Sequence, residues 1–179
     1  MQTPRPKANG GIIMNKHLKK TVLAALFAAL TYVATTFIRI PQPLGYINLG
    51  DCFVVLGAFL LGPVYGTLAG GIGSMLSDLF GYPLFAPATL VIKALMAAVA
   101  ALIFAKAEKL DEKKGTVLRI AAAVIAEIIM IAGYFIFECF VYNIPAAAAE
   151  IPANLIQGAA AIISSMLIYA VIRKSHIKL

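Results

Sequence analysis

Six apolar runs fill the chain from residue 18 to residue 173, and the segments between them are too short to fold by themselves. One helix across a bilayer takes about 20 residues, so six crossings with short connections use up a chain of 179 residues. Composition points the same way. Hydrophobic residues make up 61% of the chain, charged residues 13%, and mean hydropathy is +0.91. Soluble domains are about 45–50% apolar and about 25% charged. A soluble domain of this size exposes too much of itself to hide so much apolar surface. Disorder is excluded for the bulk of the chain, because it needs low hydrophobicity. The expected fold is therefore all-α: a polytopic membrane protein of six transmembrane helices.

Proline, glycine and charge set the boundaries. The first run covers 18–38 and ends where Pro41 and Pro43 forbid further helix. The second, 49–61, is broken by Gly62 and Pro63, and the third, 64–80, carries Gly66, Gly70, Gly71 and Gly73. These two are short for upright spans and are expected as a tight hairpin of short or tilted helices, close-packed through glycine. Further runs follow at 88–105, 120–141 and 152–172, with a charged loop at 106–119. Residues 1–17 are expected as an N-terminal tail, disordered over 1–13 and with Met14 as an alternative start; 174–179 form a basic tail. The basic segment before the first run resembles a signal-peptide n-region. That run is too long for an h-region, however, and lacks a small-x-small end, so it reads as a retained span.

Charge gives the orientation. Of fifteen Lys and Arg, all except Arg39 and Lys93 lie in the two tails, at the run ends that adjoin them, or in the 106–119 loop. With six spans these segments share one side, and the positive-inside rule makes that side cytoplasmic. The net charge of +7 is thus topology rather than a nucleic-acid footprint. Cys52 and Cys139 lie far apart without metal-ligand spacing and read as small apolar residues.

Catalytic motifs are missing. His17 and His176 both lie in basic flanks, and no phosphate-binding G-x-x-x-x-G-K-[ST] is present. The informative residues are ionisable groups within apolar runs, which need a reason to be there. Asp51 and Asp78 fall near run ends, where interfacial or capping roles suffice. Lys93 is expected to snorkel to the interface or to pair with a carboxylate, Glu138 being within possible reach. Glu127 lies deeper, as a structural hub or a coupling group. A polar and aromatic set collects at the other end from the basic flanks, among it Tyr46, Asn48, Tyr82, Tyr134, Glu138, Tyr142, Asn154 and Gln157. Asn154 and Gln157 share one helix face, as do Tyr134 and Glu138. Together these faces are expected to line a pocket that stacks a flat ring and bonds its edges. On the first run Ala24 and Ala28, and likewise Ala25 and Ala29, are spaced for close helix packing.

The stretch Tyr46-Ile-Asn-Leu-Gly-Asp51, then Leu61-Gly-Pro63, Ala69-Gly-Gly-Ile-Gly-Ser74, Asp78-Leu79, Gly81-Tyr82 and Thr89-Leu-Val-Ile-Lys93, resembles the substrate-binding S component of energy-coupling factor (ECF) vitamin transporters, most of all the riboflavin type. The resemblance spans about residues 19–173 and is most specific in this middle block. It implies a six-helix subunit of a prokaryotic cell membrane that binds a vitamin from outside and has no ATPase of its own. A transmembrane T component and two cytosolic ATPases would supply the energy. It also implies that residues 39–48 cover the ligand and that Ala24/Ala28 or Ala25/Ala29 form the docking face. The site residues expected are Tyr46, Asn48, Lys93, Tyr134, Glu138, Asn154 and Gln157, with no cofactor, no metal and no catalysis. Without tryptophan, stacking falls to tyrosine or phenylalanine. Riboflavin is the first candidate ligand, ahead of a pyrimidine thiamin precursor or a pyridoxine-like ring. The alternative is a stand-alone secondary transporter in which Glu127 and Lys93 couple ions.

Overall fold

The structure, a computed structural model, describes residues 15–175. Residues 1–14 and 176–179 lie outside the described residues, and with them most of both expected tails. Among the described residues, five helices and one small hairpin run in the order α1 (Lys16–Phe37), β1 (Arg39–Pro41), β2 (Tyr46–Asn48), α2 (Gly50–Gly81), α3 (Ala86–Ala107), α4 (Glu112–Val141) and α5 (Ile144–Lys174). All five helices are long and apolar enough to cross a membrane.

Five helices stand where six runs were expected because α2 joins the second and third runs. It is not one straight rod. At 1.5 Å per residue a straight helix over Gly50–Gly81 would be about 48 Å long, well beyond the roughly 30 Å of a hydrocarbon core. Gly62 interrupts it with φ 80° and ψ −175°, a conformation that side-chain-bearing residues avoid. Past Gly62 the chain turns back on itself. A Cβ on Gly66 would lie 2.7 Å from the Ala58 Cα, and one on Gly70 would lie 3.0 Å from Val54. Each of these pairs is placed symmetrically about Gly62, which is the register of two antiparallel arms, 50–61 and 63–81. Glycine at 66 lets the arms meet backbone to backbone.

The other helix ends follow from local chemistry. Asn15 caps α1 by accepting from His17 N at 3.1 Å. Asp111 caps α4 by accepting from Lys114 N at 3.3 Å, so α4 begins at Glu112 and the expected 106–119 loop shrinks to 108–111. Asn143 caps α5 by accepting from Ala146 N at 2.9 Å. Helix α5 therefore starts eight residues ahead of Pro152, which sits inside it. Hydropathy marks the part of a helix that lies in lipid, and polar or alanine-rich turns extend beyond it.

Helix α2 is the centre, with α1 and α3 packed along it; α4 bridges α3 and α5, and α5 closes back on α2. The core joins Phe27, Val54, Val55, Phe59, Met96 and Met130 to small residues such as Ala97, Ala122 and Ala126. Phe59 stacks on Phe104 with centroids 4.4 Å apart, and Tyr169 meets both edge-on. Large apolar side chains also face outward from every helix, Val33, Val64, Val91, Ile128 and Leu167 among them, as a lipid-facing surface requires.

The two ends differ in chemistry. At one, the start of α1 approaches the Gly62 turn through a His17–Tyr65 contact of 3.5 Å, and Arg173 of α5 pairs with Glu112 of α4. Arg119, 4% exposed, bonds Glu108 at 3.1 Å. The β1–β2 hairpin lies at the other end. Its strands pair Arg39 with Asn48, Ile40 with Ile47 and Pro41 with Tyr46.

Candidate functional site

Beneath the hairpin lies a cavity walled by every helix. All seven residues expected from the sequence line it: Tyr46 and Asn48 from β2, Lys93 from α3, Tyr134 and Glu138 from α4, Asn154 and Gln157 from α5. So do residues the sequence reading did not select, Thr35, Ser74, Asp78, Phe85, Thr89 and Glu150 among them. Thr35 and Thr89 are hydroxyls within apolar runs, and only packing brings them to one place.

The polar side chains form a circuit around this cavity. Asn48 donates from both its backbone N (2.8 Å) and its side-chain Nδ2 (3.1 Å) to Gln157 Oε1. Gln157 Nε2 donates to Asp51 Oδ2 at 2.6 Å. Lys93 Nζ donates to Asp51 Oδ1 and stands 5.2 Å from the centroid of the Tyr134 ring. Tyr134 and Thr89 share a hydroxyl–hydroxyl bond of 2.9 Å, and Thr89 donates to Asp78 Oδ2. Tyr46 Oη donates to the other Asp78 oxygen, which returns the circuit to the hairpin. Burial, then the charge of Asp78, pushes the Tyr46 hydroxyl above its ordinary pKa range, so it stays a donor.

Two expectations change. Lys93 pairs with Asp51, not with Glu138, because the hairpin leads straight into α2 and sets Asp51 beside the inward face of α3. Asp51 and Asp78 are not interfacial caps: they are 0% and 5% exposed and fully engaged. Glu138 is also buried, at 5% exposure, yet its Oε2 has no partner among the described residues. Glu127, at 2% exposure, has neither oxygen partnered and packs against Gly158. Gln157 uses both ends of its amide within the protein, which makes it a strut between hairpin and α2.

The aromatic side of the cavity is a cluster around Phe85, which lies within 5.2–6.5 Å of Tyr82, Tyr134, Phe137 and Tyr142. Tyr46 meets Tyr82 at 5.2 Å. Three carboxylates border the cavity, Asp78, Glu138 and Glu150, against one ammonium already matched by Asp51. The hairpin is fastened over the top by Leu44 N donating to Glu150 Oε1 at 3.2 Å, besides its Tyr46 and Asn48 bonds.

The alanines of α1 separate by face. Ala24 and Ala28 pack on the core, with the Ala28 carbonyl 2.5 Å from where a Gly73 Cβ would stand. Ala25 and Ala29 are exposed, on the outward face that also carries Leu18, Val22, Leu26, Val33 and Phe37.

A multi-pass helical body with a covered, polar-edged and aromatic-walled cavity at one end defines a membrane-embedded binding protein. The chain belongs to the ECF-type riboflavin transporter S component family, whose sequence profile matches residues 15–174. It is thus a transporter subunit rather than an enzyme. It is 37% identical over 133 residues to a Pyrococcus woesei protein described as "Uncharacterized protein in gap 3'region", covering 73% of this chain and 86% of that one. Its fold is similar to that of the S component of a bacterial ECF transporter, with TM-score 0.67 and 23% identity, covering 89% of this chain and 98% of the other. It is also similar to an S component for biotin from an ECF-type transporter, with TM-score 0.65 and 18% identity, covering 91% and 95%.

Proposed function

We propose that this vitamin-binding subunit captures riboflavin. The observation that carries the reading is the charge of the cavity. Asp78, Glu138 and Glu150 face it, and the only lysine among its lining residues is paired with Asp51. A ligand with its own carboxylate, such as biotin, would meet like charge at close range, which costs several kcal/mol. A flat, uncharged ring system whose edge donates hydrogen bonds suits carboxylate acceptors and the aromatic cluster around Phe85. Riboflavin has that chemistry. A pyrimidine thiamin precursor and a pyridoxine-like ring share part of it and serve as competitors.

In this reading the arms of α2 count as two passes, making six. Both tails and the Gly62 turn face the cytoplasm, where the basic residues gather, and the cavity opens outward from a prokaryotic plasma membrane. Transport energy comes from a T component and two ATPases, with Ala25 and Ala29 on the docking face. The test is purification in mild detergent followed by riboflavin titration, read by quenching of flavin fluorescence. Saturable one-to-one quenching that neither competitor displaces at equal concentration is expected. A protein that quenches no flavin but binds a competitor overturns the choice of vitamin. Uptake into liposomes by this chain alone, driven by a proton gradient, overturns the dependence on partners and restores ion coupling through Glu127 and Lys93.

A further inference from the structure

Most polar side chains around the cavity are already spoken for. Both Asp78 oxygens are taken by Tyr46 and Thr89, both ends of Gln157 by Asn48 and Asp51, and Lys93 by Asp51. Among the described lining residues, the hydrogen-bonding atoms that are both fully buried and unpartnered fall in two places. One is Glu138 Oε2 on α4. The other is a pair of hydroxyls, Thr35 Oγ1 on α1 and Ser74 Oγ on the second arm of α2. Both residues line the cavity, Thr35 at 4% and Ser74 at 1% exposure, and neither hydroxyl has a partner among the described residues. Burying a hydroxyl without a partner is unfavourable, so two of them in one cavity wall call for a ligand that satisfies both.

The geometry points to a tail subsite between α1 and α2: Thr35 and Ser74 receive an uncharged, hydroxylated chain of the ligand while its ring edge faces Glu138. This rests on the flavin reading and adds which residues select the tail. Hydroxyls both donate and accept, so they match alcohols, which do the same; a carboxylate tail would find no countercharge there. Thr35 Oγ1 occupies the space that a Cβ at Gly50 would fill, 1.9 Å from it, so it packs against the start of α2. Thr31, one turn along α1, is an internal control. Its Oγ1 is also buried and unpartnered, but it does not line the cavity.

The experiment compares riboflavin with lumiflavin, which has the same ring but a methyl group in place of the polyhydroxyl chain. Full-length wild type, Thr35→Val, Ser74→Ala and Thr31→Val are titrated with each. Wild type is expected to bind riboflavin more tightly than lumiflavin. Thr35→Val and Ser74→Ala should each weaken riboflavin by about 3- to 10-fold and leave lumiflavin unchanged. Thr31→Val should change neither. Without ligand, both cavity variants should unfold at or above the wild-type temperature, since each removes an unsatisfied group. The subsite is overturned if riboflavin affinity stays within experimental error of wild type in both variants, or if lumiflavin falls in parallel. It is also overturned if both variants are destabilised without ligand, which would make the hydroxyls structural. Wild type that binds neither flavin overturns the flavin reading and the subsite together, whereas flavin binding without tail selectivity overturns the subsite alone.

Discussion

Substituting Lys93 with methionine tests the polar circuit at its buried ion pair. Lys93 and Asp51 are 2% and 0% exposed, and they form an ion pair in the interior of a chain whose surroundings are apolar. Methionine keeps the length and bulk of lysine but removes the charge. Asp51 then keeps only the Gln157 amide at 2.6 Å. Leaving one partner of a buried pair uncompensated costs about 3–5 kcal/mol. For a chain of this size, 1 kcal/mol moves the unfolding midpoint by about 2–4 °C, so the expected drop is about 6–20 °C. Asp51→Asn alone should cost a similar amount, because it strands the ammonium. The double variant should recover most of the loss. Both charges are then gone, and an asparagine oxygen can still accept from Gln157. Replacing both members of a buried pair is often close to neutral. The assay is thermal unfolding of the four proteins in one detergent, arranged as a double-mutant cycle. Single effects that simply add in the double variant would refute the reasoning. They would mean that each residue acts through separate contacts and that no pair holds α2 to α3.

Gly66→Val places a side chain where a Cβ would lie 2.7 Å from the Ala58 backbone; it should force the arms of α2 apart and cost about 1–3 kcal/mol. Val64→Ala, on an outward position 65% exposed, is the control and should leave the detergent melting curve nearly unchanged. On α1, Ala25→Trp and Ala29→Trp should leave riboflavin affinity intact but prevent co-purification with a T component. Ala24→Trp and Ala28→Trp should instead lower stability by about 1–3 kcal/mol, through overpacking against α2; equal loss of partner binding without destabilisation would move the docking face to the other pair.

What could be read from the sequence depended on whether a signal was local. Proline and glycine punctuation is local, so the break at Gly62-Pro63 and the end of α1 before Pro41 were legible. Helix ends were not. Capping by Asp111 and Asn143 extends α4 and α5 into turns whose hydropathy gives no hint of a span. The seven candidate residues could be grouped because helix periodicity places Tyr134 with Glu138 and Asn154 with Gln157. The pairing of Lys93 could not be predicted. Glu138 lay at a plausible depth, but the choice of Asp51 depends on how the hairpin delivers the chain into α2. Thr35 and Ser74 were missed for another reason: a hydroxyl in an apolar run costs so little that nothing singles it out until its lack of a partner is visible.

The circuit also links the cover of the cavity to its walls. For the hairpin to lift away it must release Tyr46 from Asp78, Asn48 from Gln157 and Leu44 from Glu150. Asn48 supplies two of these four bonds, and each bond is worth about 0.5–1.5 kcal/mol net, so together they favour the closed form by about 2–6 kcal/mol before any ligand arrives. An opening of that size leaves a minor state populated at a few per cent or less. A ligand entering through it must supply its own contacts and also let these bonds re-form. Asp78 and Gln157 therefore act on two levels: they belong to helices α2 and α5 and also decide where the hairpin rests. Any tilt or slide of α5 against α2 shifts the Gln157 amide relative to Asp51 and Asn48 together. Movement in the helical body would then be felt at the cover without a dedicated hinge, because the same three side chains fasten both.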